Sequence, residues 1–311
     1  MNQTNKKTGF IFFCALLPLL GLAGACQTMT AVTSAGAQIA GGLGVIDQKT
    51  ANAISKSSDA IGRAAEDITP EQEYYIGRAV GANILTGYKI YTADPALTAY
   101  LNRICGAIVI NSPKPEIYNG YHVMPLDSTE INAFATSGGH IFITRGLINC
   151  TGSEDALAAV IAHEISHIQL QHSVKAIKTS RINQALLATA SSTADVLTTN
   201  MSINELTDIF NESVGEIVST MVNNGYSQSQ EFDADTMAVS LLASAGYDPS
   251  SLITMLRALE KNQPRSPGGF NKTHPAPARR ISNAEISVKK YPVEDTRFYR
   301  QTRYNTALKG R

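Results

Sequence analysis

Apolar residues recur at helical spacing along most of the chain. The segment "EQEYYIGRAVGANIL" follows Thr69 and a proline, with Gln72 three residues after the threonine, and this capping box predicts the start of a helix. The spacing predicts a second helix from about Pro95 to Ile110 and another over residues 248–262.

Near the middle of the chain the pattern changes to short β-prone runs. "YHVMPLDS" and "GHIFITRGL", with the turn-rich "TSGG" joining them, predict a small sheet. Its edge strand would bind an extended peptide through the main chain, although a hairpin that only covers the core is an equal alternative. The predicted fold class is therefore α+β and mostly helical. Residues 174–226 have apolar residues at helical intervals but carry too many polar ones to cross a membrane.

One apolar helix carries unexpected polar residues. It begins at Ser153, a suitable N-cap, and contains "AVIAHEISHIQLQHS" at 159–173. At about 100° per residue, His163 and His167 lie one turn and about 40° apart, so both imidazoles can bind one metal ion while Glu164 lies beside them. This HExxH pattern is typical of zinc peptidases.

A third ligand has to come from elsewhere in the chain. The metzincin pattern needs glycine at 170 and histidine at 173, where this chain has Leu170 and Ser173. In "YSQSQEFDAD", Glu231 is the best candidate ligand, and Asp235 one turn later can hydrogen-bond the other nitrogen of a ligand histidine. The alternative is a solvated acidic helix start.

The remaining histidines of these segments fit a metal site less well. His172 would lie about 140° round the helix from His167, which predicts a residue that supports a ligand from behind or faces solvent. His140 follows two glycines in a turn and is predicted to be a surface residue.

Four motifs in this order make the chain resemble a family of zinc metallopeptidases. The family includes the CAAX prenyl proteases, HtpX, and a soluble periplasmic branch of BepA-like and LoiP-like enzymes. The motifs are HEISH at 163–167, EFDAD at 231–235, NAFATSGGHIFITRGLI at 132–148 and HPAPARR at 274–280. The resemblance covers roughly residues 67–290. Phe232 and Asp233 depart from what relatives often carry, without changing the proposed ligands.

The resemblance implies a zincin-type domain that hydrolyses peptide bonds in proteins. One Zn²⁺ per chain would be held by His163, His167 and Glu231, with an open position for water. Glu164 would act as the general base. This glutamate favours an enzyme over the competing hypothesis, a chaperone-like or assembly lipoprotein with a latent or structural zinc site.

The HPAPARR motif adds two predicted catalytic residues. In relatives, the histidine that matches His274 lies near the zinc, and the arginine that matches Arg280 lies near the substrate oxyanion. His274 could then be a fourth ligand that keeps the enzyme latent, a donor to the oxyanion, or only a residue that orders a loop. The flexible flanking sequence "QPRSPGGFN" favours the latch.

Composition adds few constraints. The 311 residues are 43% hydrophobic and 17% charged, which suits one large globular domain. Lys plus Arg and Asp plus Glu number 26 each, and this balance gives no reason to propose nucleic acid as a partner.

The amino-terminal sequence predicts export. Two lysines precede an uncharged stretch that ends in small residues, so residues 1–25 are predicted to be a signal peptide. Cleavage before Cys26 would allow lipidation of this cysteine, although the site also suits ordinary signal peptidase. Because residue 27 is glutamine and not aspartate, the predicted location is periplasmic, anchored at the outer membrane.

The rest of the predicted organisation follows from these boundaries. Residues 26–66 would form a lipidated, flexible tether, 67–290 the peptidase domain, and 291–311 a solvated basic tail. Cys105 and Cys150 would either form a disulfide or remain two thiols. The predicted lipid anchor implies the membrane surface as a partner. The resemblance implies unfolded or misfolded envelope proteins as substrates, envelope assembly machinery as a partner, and a role in quality control.

Overall fold

The computed structural model describes only part of the chain. The described residues are 23–44, 47–49, 51–52, 55, 58–59, 62, 65–179, 214–215, 218–219, 225–262, 274, 277–292 and 297–309. The chain divides into two compact units, the first comprising Met1–Glu66 and Arg181–Thr199, the second Asp67–Ser180 and Asn200–Arg311.

Among the described residues of the first unit lies a long helix, α1 (Ala23–Gly42). The region predicted to be a flexible tether, residues 26–66, therefore includes most of a long helix. The alanine-rich segment "ACQTMTAVTSAGAQIA" favours this continuous helix. Most of the predicted signal peptide, residues 1–22, lies outside the described residues. Cys26 lies in α1, but its side chain is not among those described, so its lipidation stays a prediction.

The second unit opens with two helices that begin at the caps expected of them. Thr69 caps α2 (Pro70–Gly87), and the reciprocal hydrogen bonds with Gln72 confirm the predicted capping box. Asp94 caps α3 (Pro95–Ile110), whose bounds match the predicted helix.

A three-stranded sheet follows. Its strands are β1 (His122–Leu126), β2 (Ala133–Thr136) and β3 (His140–Thr144), in the order β1-β3-β2. The predicted small sheet is confirmed, but β1 and β3 are parallel. The "TSGG" turn therefore joins β2 to β3 and not the two predicted runs, because parallel neighbours cannot be joined by a tight hairpin.

The HExxH helix lies in the centre of the unit. After the short helix α4 (Arg145–Cys150), Ser153 caps α5 (Glu154–Gln169), and every residue of α5 is buried. The main hydrophobic core forms around α5, α3, the sheet and two later helices, α6 (Gln228–Ser244) and α7 (Ser251–Asn262). Cys105 and Cys150 are free thiols.

The described residues of this unit also include two later helices, α8 (Pro277–Val288) and α9 (Arg297–Ala307). The expectation of a solvated tail is wrong for α9. Its Arg300 is only 6% exposed and donates from Nε to Asp155 Oδ2 at 2.9 Å, and Arg303 pairs with Glu154. Both carboxylates belong to the first turn of α5, so α9 packs where that helix begins.

No helix among the described residues combines the length and the apolar character needed to cross a membrane.

Candidate metal centre

Helix α5 supplies the first three residues of the site. His163, Glu164 and His167 lie near its carboxyl end and are at most 1% exposed. The Nε2 atoms of the two histidines are 3.1 Å apart, as the one-turn spacing requires. Because the helix is apolar all round, packing on every side fixes the direction of these polar side chains.

Helix α6 brings a carboxylate to the same place. Ser227 and Gln230 form a capping box at its start, which fixes Glu231 in the first turn. Glu231 is fully buried, with Oε1 3.4 Å from His167 Nε2 and Oε2 3.6 Å from His163 Nε2. The alternative of a solvated acidic helix start is wrong for Glu231, whereas Asp233 is exposed.

His274 joins this cluster just before α8. Its Nδ1 lies 2.8 Å from Glu231 Oε1 and 3.4 Å from His163 Nε2, and its side chain is buried. One possible ligand atom from each of His163, His167, Glu231 and His274 lies within 4.8 Å of all the others. Four residues from three separate parts of the chain therefore meet at one point.

The donors at this point fit a divalent transition metal. Imidazole nitrogens and a carboxylate oxygen are the ligands that such ions bind in proteins. Glu164 Oε1 is buried beside them, 3.9 Å from His274 Nε2, and has no hydrogen-bond partner among the described residues. A buried carboxylate oxygen without a partner is costly, which points to a group that the cluster is built to receive.

Behind the cluster, an ion pair between Asp235 and Arg280 holds the donors in place. Asp235 Oδ1 is 3.0 Å from His163 Nδ1, the contact predicted for it. Arg280 is 1% exposed; it donates from Nε and Nη2 to the two oxygens of Asp235, and its Nη1 is 2.9 Å from Glu231 Oε2. These contacts support a role for Arg280 in positioning Glu231 and Asp235, which differs from the oxyanion role implied by the resemblance.

Burial and the Arg280 charge set the protonation of the site. Burial and, next in size, the charge of Arg280 lower the pKa of His163 to about 3, so this imidazole is neutral and able to bind a metal. Burial alone would raise the pKa values of Glu231 and Asp235. The neighbouring His274 and Arg280 outweigh burial at Glu231, and Arg280 outweighs it at Asp235, so both pKa values are lowered. Burial raises the pKa of Glu164 to about 7, which suits a general base.

Two further side chains contact His167: His172, for which support of a ligand from behind was one of the two predicted alternatives, and Tyr226, which was not predicted. His172 is 2% exposed, with its Nδ1 2.8 Å from Nδ1 of His167, so the solvent-facing alternative is wrong. The Tyr226 ring stacks on His167 with centroids 4.1 Å apart. Periodicity could not place His172, because the helix on which the angle was counted ends at Gln169.

His140 lies away from the cluster. It is half-buried, with its ring beside Tyr74 and its Nδ1 3.3 Å from the Thr136 hydroxyl. This placement agrees with a histidine that is not a ligand.

Strand β2 offers an edge for an extended chain. Thr144 N–H donates to Asn132 O at 3.0 Å, so Ala133 and Ala135, which alternate with such bonded pairs, direct their backbone groups away from β3. The N–H of Ala133 already donates to Asn132 Oδ1 at 3.0 Å, so Ala135 is the residue whose N–H an extended chain could meet. The opposite edge is closed at Val123, since the Asn102 side chain bonds both its N–H and its C=O. Strand β2 packs against α5, the helix that carries the site.

Comparison with known proteins agrees with this geometry. Residues 95–287 match peptidase family M48. The chain is 27% identical over 214 residues to the β-barrel assembly-enhancing protease of Escherichia coli strain K12, covering 68% of this chain but 42% of that protein. It is 28% identical over 196 residues to metalloprotease LoiP of Escherichia coli, covering 62% and 72%. Identity is 27% over 194 residues with the mitochondrial metalloendopeptidase OMA1 of Schizosaccharomyces pombe, covering 60% and 52%.

Proposed function

The chain belongs to peptidase family M48, and from that premise we propose that it is a zinc-dependent endopeptidase. The observation that carries the proposal is the buried cluster of His163, His167 and Glu231, with Glu164 beside it. Zinc, when bound there, would supply a Lewis acid that lowers the pKa of water and polarises the scissile carbonyl.

The protein's own residues would carry the proton transfers. Glu164 accepts a proton from the attacking water as the water oxygen bonds to the carbonyl carbon. As the C–N bond breaks, Glu164 passes that proton to the leaving nitrogen, so the products are a carboxylate and a free amine. The outward backbone groups of Ala135 and the outward C=O of Ala133 would hold the substrate main chain, a mode of binding with little preference for sequence.

His274 is proposed to latch the site. Its distance of 2.8 Å from Glu231 supports a role as a fourth ligand that takes the position needed by water. Release of this side chain would open the position, whereas an oxyanion donor would remain beside it during catalysis.

The proposed clients are misfolded proteins of the cell envelope. The name of the Escherichia coli relative places that protein in β-barrel assembly, and the present chain spans less than half of that relative's length. We extend its class of client to this chain, together with attachment to the outer membrane through Cys26, envelope assembly machinery as a partner and a role in quality control.

Hydrolysis of an unfolded protein such as casein tests the proposed activity. Glu164→Gln should abolish hydrolysis while leaving zinc bound, because the amide cannot accept the proton of water. Glu260→Gln, the same change at an exposed position on α7, is the control and should have no effect. Equal hydrolysis by the wild type and Glu164→Gln would contradict the proposal and favour an assembly or chaperone-like role.

A further inference from the structure

We propose that His172 is a positioning residue for His167: it accepts the Nδ1 proton of His167 and thereby keeps the Nε2 lone pair of His167 directed at the metal. The inference rests on the proposed function, since it concerns the same metal site.

A break between two helical segments puts His172 in this place. Helix α5 ends at Gln169, and Gln171 has a φ of 56°, in the left-handed region that side chains other than glycine rarely adopt. A second helical segment then spans residues 172–179. A strained residue of this kind persists where surrounding structure enforces it, and here the residue that follows it, His172, contacts His167 of α5.

The short contact between the two rings restricts their protons. The two Nδ1 atoms are 2.8 Å apart, so one donates a proton and the other accepts it. A neutral histidine that binds a metal through Nε2 carries its proton on Nδ1. His167 is then the donor, and His172 is the acceptor with its own proton on Nε2. The reverse assignment would put the His167 proton on Nε2 and block the metal.

Tyr226 restricts the same ring from another side. Its ring lies at 19° to the plane of His167, with centroids 4.1 Å apart, and is itself buried. The stacking fixes the plane of His167, and the hydrogen bond to His172 fixes the rotation within that plane. His163 instead contacts a carboxylate, Asp235, so the two histidine ligands differ in the charge behind them.

Two variants of His172 test the acceptor role in the full chain. His172→Phe fills similar space without an acceptor, whereas His172→Asn places an amide oxygen near the position of Nδ1. We expect Phe to lower the zinc affinity about 10–100-fold and Asn to recover most of it, as measured by competition with a chromophoric chelator. Equal thermal midpoints of the metal-free proteins would show that the difference is not one of folding.

Unchanged zinc affinity in His172→Phe would overturn the inference, and so would an equal loss in His172→Asn. The wild type alone gives an independent measurement through ¹⁵N-histidine NMR of the zinc-loaded protein. The expected spectrum shows His167 protonated at Nδ1 and His172 at Nε2; a proton on Nδ1 of His172 would overturn the assignment.

These outcomes separate the inference from the proposed function. Wild-type protein that binds no zinc would contradict the proposed function and this inference with it. Wild-type protein that binds zinc and cleaves protein, together with a His172→Phe variant of equal affinity, would contradict this inference alone.

Discussion

At the scale of single residues, two of the three carboxylates of α6 should respond in opposite ways to removal. Glu231 is fully buried among the histidines, whereas Asp233, two residues on, is exposed. We expect Glu231→Ala to lose most of the roughly one zinc per chain, because only His163 and His167 would remain of the three proposed ligands. Asp233→Ala should keep its zinc. Metal analysis of the purified proteins checks both, and full occupancy in Glu231→Ala would refute the ligand assignment.

The role of His274 is tested by the sign of a single substitution. If His274 latches the site, His274→Ala should cleave an unfolded substrate faster than the wild type, because the position for water is freed. If it donates to the oxyanion, turnover should fall by about a hundredfold. His140→Ala removes a histidine outside the cluster and is the matched control. A large loss with zinc retained would refute the latch, and unchanged activity would refute both roles.

At the scale of elements, α9 stabilises the start of α5 through Arg300. Asp155 is nine-tenths buried, and Arg300→Ala would leave it without its cation. Removal of one partner from a buried ion pair costs about 3 kcal/mol in the free energy of unfolding. Urea denaturation should show this loss, while Thr302→Ala on the exposed face of α9 should change little. Equal stability of the two variants would contradict the role of the pair.

Elements were predictable where their signals are local. Thr69 and Ser153 mark helix starts because each cap bonds a backbone group three residues away. The HExxH pair follows from one turn of helix, and Glu231 from the need for a third ligand. The position of His172 depends instead on the left-handed backbone of Gln171, and that of Arg300 on a helix far along the chain. Periodicity reveals neither feature.

At the scale of the whole molecule, attachment to a membrane is predicted to depend on Cys26. Cys26→Ser should appear as uncleaved precursor or as soluble protein in cell fractionation, because a serine hydroxyl is not acylated in place of the thiol. Cys14→Ser, inside the predicted signal peptide, should leave the mature protein on the membrane. Unchanged membrane association of Cys26→Ser would contradict the predicted anchor.

The pairing of α9 with α5 also sets an order in time. Arg300 and Asp155 are 145 residues apart, and a ribosome makes α5 long before α9. Until α9 emerges, the buried start of the HExxH helix lacks the cations that neutralise Glu154 and Asp155. Domains fold as units, so before α9 has been made the domain cannot complete the ion pairs at the start of this helix. Because the two site histidines lie on this helix, the proposed activity would be acquired only after α9 has been made.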